Sequence, residues 1–265
     1  MAKPHHVVSQ SDLEIFISNR DDFAFEREVF HTTIRHGLAA EHAGLYEDPV
    51  TFKPRQFDIR ARKTVQAKGF PVTINLAIEC KSLVPEFPLV VSCVPRASDE
   101  NYHELLTTAT GNLAAYRHRD FYPTGDYVGK SMRQIGKDKG GELFSGDDVF
   151  DKWMQALASS GEIIHADADR ITRGNGPAEW VAMLPLLVVS DETLWVTNYR
   201  SNGMVEGPPR KIEDITFYLG RKYRLERQNL TYTISHLHVC TRSYFPKMLQ
   251  EIAGGGDIWP KLFVL

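Results

Sequence analysis

Cysteine is scarce in this chain. Cys80, Cys93 and Cys240 are the only three in 265 residues. An odd number without C-x-x-C spacing supplies neither a disulfide framework nor a zinc cage. Long apolar runs are missing too. The longest, Val181 to Val189, is interrupted by Pro185 and falls far short of the ~20 residues that cross a bilayer. The first residues, MAKPHHVVSQSD, lack the apolar stretch of a secretory signal. The expectation is a soluble, reducing, cytoplasmic setting with no membrane partner. An excess of one charge is also absent: 31 Lys and Arg stand against 34 Asp and Glu, a net −3. That excludes a protein-wide basic field, so any contact with nucleic acid needs a local patch. There is no internal repeat, and no G-x-S-x-G to support serine hydrolysis. Gly129-Lys130-Ser131 is not a phosphate-binding P-loop. Gly125 stands one residue too close, and no apolar strand leads in.

What is present is ordinary globular material, 42% hydrophobic and 25% charged, enough to bury a full core. The expectation is a single α/β domain over residues 1–265, with a mixed central β-sheet flanked by helices. Its organising stretch is Gln56 to Lys81. From Thr73 to Lys81 the alternation is strict: Ile74, Leu76, Ile78 and Cys80 on one face, Thr73, Asn75, Ala77, Glu79 and Lys81 on the other. Phe57, Ile59 and Ala61 alternate with Asp58, Arg60 and Arg62 in the same way. A hairpin turning at Lys68-Gly69 sets Asp58 opposite Glu79, because the two are equidistant from that turn. A slip of one residue would bury the acids, so Asp58, Glu79 and Lys81 share a face. Two carboxylates and a lysine suit a divalent cation and an activated water. Cys80 falls on the apolar face, which leaves its main-chain carbonyl as a further metal ligand.

Around the hairpin, a helix is expected from about Asp21 to His36, capped by Asp21 or Asp22 and ended by Gly37. Glu26 sits in or beside its apolar stripe, with Phe23, Val29 and Phe30 as helical neighbours. A first-turn acid supporting the helix N-terminus is the plainer account of it. Six basic residues and one acid lie between Lys53 and Lys68. They read as a solvated strand edge or as a phosphate-contacting patch. Phe87 to Val94 has the length of a strand buried on both faces. A helix is expected from Ala97 to about Arg117. The glycine- and lysine-rich stretch 117–146 reads as a mobile loop. Asp147 or Asp148 opens a second helix that Gly161 stops, and Gln155 on it is a candidate for contact with substrate or with Lys81. Val181 to Tyr199 reads as two strands, Asp214 to Leu219 and Tyr232 to Cys240 as two more, and Ser243 to Ala253 as a closing helix. His165, Asp167 and Asp169 read as a solvated loop before Gly174-Asn175-Gly176-Pro177. His236 and His238 share one strand face and read as a core pair.

The order of a helix bearing Glu26, a strand with Asp58, a hairpin, and a strand with Glu79-Cys80-Lys81 resembles the PD-(D/E)XK nuclease superfamily, with its restriction-endonuclease-like fold. Here Phe57 precedes the aspartate, where many members carry proline. The resemblance implies an endonuclease-like phosphodiesterase. Asp58 and Glu79, with Cys80 through its carbonyl, hold Mg²⁺ or Mn²⁺, and Lys81, Glu26 and Gln155 serve catalysis. The partners implied are nucleic acid, DNA before RNA, and a second copy of the chain as a homodimer. The alternative is an inactive nuclease-like fold serving as a binding or scaffold module.

Overall fold

The computed structural model describes residues 7–20, 22–47, 53–109, 112–146, 148–173 and 179–254. The expected caps Asp21 and Asp147, the run Gly174 to Pro177 and the glycines after Gly254 lie outside the described residues. Two helices open the chain, α1 (Gln10–Arg20) and α2 (Asp22–Arg35). Five strands follow: β1 (Ala39–His42), β2 (Leu45–Glu47), β3 (Pro54–Gln56), β4 (Ile59–Ala67) and β5 (Phe70–Lys81). The middle of the chain holds β6 (Leu89–Pro95), β7 (His103–Ala109), β8 (Asn112–His118), β9 (Tyr127–Lys137) and β10 (Leu143–Gly146). Then come α3 (Asp148–Arg173), β11 (Trp180–Val189), β12 (Leu194–Asn198), β13 (Arg210–Lys211), β14 (Asp214–Leu225), β15 (Leu230–Thr241) and α4 (Phe245–Ala253).

One mixed sheet of 13 strands runs in the order β1-β4-β5-β11-β15-β14-β9-β6-β12-β13, and β2 pairs separately with β3. The β7–β8 hairpin joins the sheet through β11, and β10 joins it through β9. At its heart β11 lies parallel to both β5 and β15. Every residue from Val181 to Val189 is buried, which is what an uninterrupted apolar strand between two parallel neighbours requires.

Helices cover both faces of this part of the sheet. On one side α2 and α4 pack Phe25, Val29, Phe245 and Leu249 against Ile74, Leu76, Ile78 and Cys80. In α4 the buried positions Phe245, Met248, Leu249 and Ile252 recur at helical spacing, with a proline in the first turn. On the other side α3 lays Leu157, Ile164 and Ala168 against Ala77 and Val181.

Several expectations are corrected. Residues 97–117 hold the β7–β8 hairpin instead of a helix, because Leu105 and Leu106 pair with Ala182 and Val181 of β11. The stretch 117–146, expected as a mobile loop, is mostly strand, with β9 laddered on β6 from Gln134 to Tyr127. In β6 buried and half-buried residues alternate, so it is not enclosed on both faces. Gly161 does not stop α3, which continues to Arg173 and carries His165, Asp167 and Asp169. A side chain at Gly161 would meet the Tyr223 ring at 2.8 Å, and the Tyr223 hydroxyl donates to the Leu157 carbonyl at 2.7 Å. The glycine serves close packing, not termination.

Candidate functional site

The β4–β5 hairpin has the expected register. Ile59 pairs with Ile78 and Ala67 with Phe70, which leaves Lys68 (φ 48°) and Gly69 (φ 85°) as a two-residue turn. Left-handed backbone at both positions matches the right-handed twist of the flanking strands. At the open end, extending the ladder by one residue sets Asp58 against Glu79. Both are buried, at 5% and 1% exposure. The Asp58 carboxylate (Oδ2) accepts the Cys80 N–H at 2.8 Å, and the Asp58 carbonyl accepts the Ala43 N–H at 2.9 Å. The aspartate is thereby fixed at both ends, with its carboxyl group turned towards the Glu79–Cys80 peptide.

Alternation gives Glu79 the face of Asn75 and Ala77, under α3, and Lys81 follows it on that face, half-buried. Lys81 makes no ion pair among the described residues. The Cys80 thiol lies in the apolar core under α2 and α4, as expected. Gln155 stands on α3 one turn before Ser159, and its carbonyl lies 3.4 Å from the Tyr46 hydroxyl. Ser159 accepts a hydrogen bond from Arg60 Nε at 2.9 Å, so this stripe of α3 runs over the Asp58–Arg60 end of the hairpin.

Glu26 belongs to the other layer. On α2 it lies 3.3 Å from Nε2 of His42, and His42 is flanked by the Phe23 and Phe30 rings. Burial, then the charge of Arg27, holds the His42 imidazole below its usual pKa, against the pull of Asp58. Glu26 reaches the Asp58 end of the hairpin through His42, which the sequence reading did not single out. His42 is placed there by its cross-strand pairing with Ile59, which no local sequence pattern marks.

Three residues of the basic edge are engaged within the fold, while Lys53 and Lys68 are exposed. Arg60 bonds Glu162 at 2.7 Å and Arg62 bonds Asp167 at 2.9 Å, both on α3. Lys63 caps α2 through the His36 carbonyl at 3.1 Å. Asp167 also accepts from Asn75 at 2.6 Å and from Arg170 at 3.0 Å. A cavity of about 440 Å³ between β1, β4 and α3 is lined by Arg60, Arg62, Asn75, Glu162 and Asp167 together with Glu41.

A second polar cluster lies on β15. His236 and His238 share a face, as expected, with Tyr122, His103 and Arg96 packed over them. Tyr122 and Nε2 of His238 are 3.0 Å apart. Burial above all, then the charge of Arg96, lowers the His236 pKa to about 2 and that of His238 to about 4, and burial with the neighbouring histidines lowers His103 to about 3. All three are neutral at physiological pH.

Among the described residues no helix is long and apolar enough to cross a membrane, and no group of three or more His, Cys, Asp or Glu is arranged to hold a metal ion. No protein-family model, curated protein or solved structure matches the chain. The chain is thus an α/β protein with a large mixed sheet and a buried pair of cross-strand carboxylates beneath α3.

Proposed function

We propose that the open end of the β4–β5 hairpin is a divalent-cation site for phosphodiester hydrolysis in nucleic acid, DNA before RNA, as in the PD-(D/E)XK nucleases that the sequence resembles. The observation that carries this reading is the pairing of Asp58 with Glu79, with the Asp58 carboxyl oriented by the Cys80 N–H. Two carboxylates fit Mg²⁺ or Mn²⁺, since Mg²⁺ takes one or two carboxylates from protein and completes its octahedron with water and substrate phosphate. Asp58 and Glu79 are the residues to hold it, with the Cys80 carbonyl as a third oxygen. Bound there, the cation supplies Lewis-acid polarisation of the phosphate. Lys81 offers an ammonium group to charge developing on the phosphoryl oxygens. Gln155 presents an amide from α3. Glu26 acts at one remove, holding His42 and thus the β1 end beside Asp58.

A second reading, an inactive fold serving as a binding or scaffold module, draws support from Arg60 and Arg62. Both guanidinium groups are engaged by α3 carboxylates and do not reach for phosphate. Calorimetry with Mn²⁺ and Mg²⁺ on wild type, Asp58→Asn and Glu79→Gln, with cleavage assays on DNA and RNA, separates the two. The nuclease reading expects cation binding at least tenfold weaker in either variant, and a ~10²–10⁴-fold loss of cleavage in Lys81→Ala. Cation binding without cleavage of any nucleic acid leaves the scaffold reading. Binding unchanged in both carboxylate variants removes the site.

A further inference from the structure

Under the connections that lead into and out of β7 and β8, a guanidinium is buried with no acid in contact with it. Arg96 is 4% exposed. Its two Nη groups donate to the Pro123 carbonyl at 2.7 Å and to the Thr216 hydroxyl at 2.5 Å. Its Nε has no hydrogen-bond partner, and it forms no ion pair among the described residues. Its guanidinium lies 5.3 Å from the centroid of the Tyr122 ring. The His236 ring lies 4.0 Å from that same centroid, is 2% exposed, and has no hydrogen-bond partner at either nitrogen. A buried charge is costly unless it is paired. A buried polar atom without a partner marks a place where an ion or water belongs. Two such groups beside one ring therefore need one explanation.

We propose that Arg96 and His236 form a binding site for a small oxyanion of the phosphate or carboxylate type, enclosed by the β6–β7 and β8–β9 connections. Arg96 donates from Nε and His236 from a ring nitrogen to the anion. The Arg96 guanidinium, buried and without an ion pair among the described residues, favours an anion over water. Lys130 on β9 lies over the Tyr218 ring, which is 5.5 Å from His236. The acids nearby offset part of that charge without pairing with it: Glu100 is bonded to Lys130, and Asp126 and Glu100 act on Arg96 only at a distance, the Asp126 carbonyl accepting the Arg96 N–H. On the remaining sides His236 faces His238 of its own strand and His103 of β7, both neutral. The anion thus supplies the contacting counter-charge that Arg96 lacks, and its arrival favours the imidazolium form of His236, so binding takes up a proton.

The test uses the full chain in EDTA, so that the carboxylate pair at the hairpin plays no part. Thermal shift and calorimetry are run with inorganic phosphate, sulfate and acetate against chloride at fixed ionic strength. Saturable binding is expected for at least one oxyanion. Acetate compared with phosphate identifies the class. Sulfate, whose charge is constant over this range, should bind more tightly at pH 6 than at pH 8, with heats that depend on buffer ionisation. His236→Phe should weaken binding at least tenfold while keeping the ring packing on Tyr122, and Arg96→Met should do the same. If Arg96→Met fails to fold, His236→Phe decides alone. Oxyanion shifts equal to chloride, or binding unchanged in His236→Phe, overturn the proposal and leave buried water as the partner of these groups.

Discussion

Two buried polar regions of this protein are built on opposite principles. Between α3 and the middle of the β4–β5 hairpin, acids and arginines answer one another. Asp167 accepts from Asn75, Arg62 and Arg170, and Arg170 also grips Glu179 at 2.6 and 3.0 Å. Burial pulls the Glu179 carboxyl up in pKa, but Arg170 and Thr73 more than offset this and hold it below its usual value. Around His236 the groups are more deeply buried than the arginines of that network, yet a guanidinium and an imidazole are left with donors unanswered. A closed network specifies how a helix sits on a sheet, whereas an open one stores electrostatic cost until something arrives to relieve it. The Asp58–Glu79 pair stands between these limits, oriented by one backbone N–H and lying at the edge of the closed network.

The largest expected effect tests the open region by acid. His103, His236 and His238 have folded-state pKa values below the unfolded value near 6.5. The unfolded chain therefore binds more protons below that value, and stability rises with pH. The contribution is whole above pH 6.5 and is lost as pH falls towards the folded-state values. Urea unfolding at pH 7 and pH 5 should show a loss of about 2 kcal/mol for each of the three histidines, with His236→Phe removing its share. A flat profile over this window breaks the contrast, since it would mean that these histidines are not held neutral. The next effect tests the closed region. Asp167→Ala strands the buried Asn75 amide while Arg62 and Arg170 can turn to water, so a loss of about 2–3 kcal/mol is expected in the same assay. A smaller effect tests the hairpin that carries the carboxylates. Gly69→Ala forces a Cβ into left-handed backbone and should cost about 1–2 kcal/mol. Lys68→Asn, better suited to that conformation, should stabilise by a few tenths of a kcal/mol or leave stability unchanged.

The hairpin was legible because its information is local. Strict alternation fixes which face each side chain takes, and Lys68-Gly69 fixes the register, so the opposition of Asp58 and Glu79 follows from counting. Helix α2 was legible from its apolar positions, of which Phe25 and Val29 are buried while Phe23 and Ile34 are exposed, and β11 from its long apolar run, which continues through Pro185. The β7–β8 hairpin was not legible, because Leu105 and Leu106 suit a helix or a strand equally. Only the distant partner Val181 decides between them. Glycines in β9 misled for a similar reason: their composition suggests a loop, and pairing with β6 makes them strand. The pairing of Arg60 and Arg62 with α3 was hidden because Glu162 and Asp167 stand a hundred residues away and were read as part of a loop. His236 and His238 were visible as a pair, whereas Arg96 and Tyr122 come to them from remote connections.

The long parallel ladder between β5 and β11 has a kinetic consequence. The two strands match from Val72–Trp180 to Lys81–Val189, yet the chain leaves β5 after Lys81 and builds β6 to β10 and α3 before it returns beside β5 at Trp180. A two-residue hairpin closes in about 1–10 μs. Pairing across the long excursion carries a larger loop-closure entropy and waits for the elements between. Pulse-labelled amide exchange during refolding should therefore find Ile59–Lys81 protected ahead of Trp180–Val189, and simultaneous protection would show that the sheet condenses in one step. The two carboxylates of the candidate site thus meet early in folding, and the strand that pairs with the far edge of β5 joins them later.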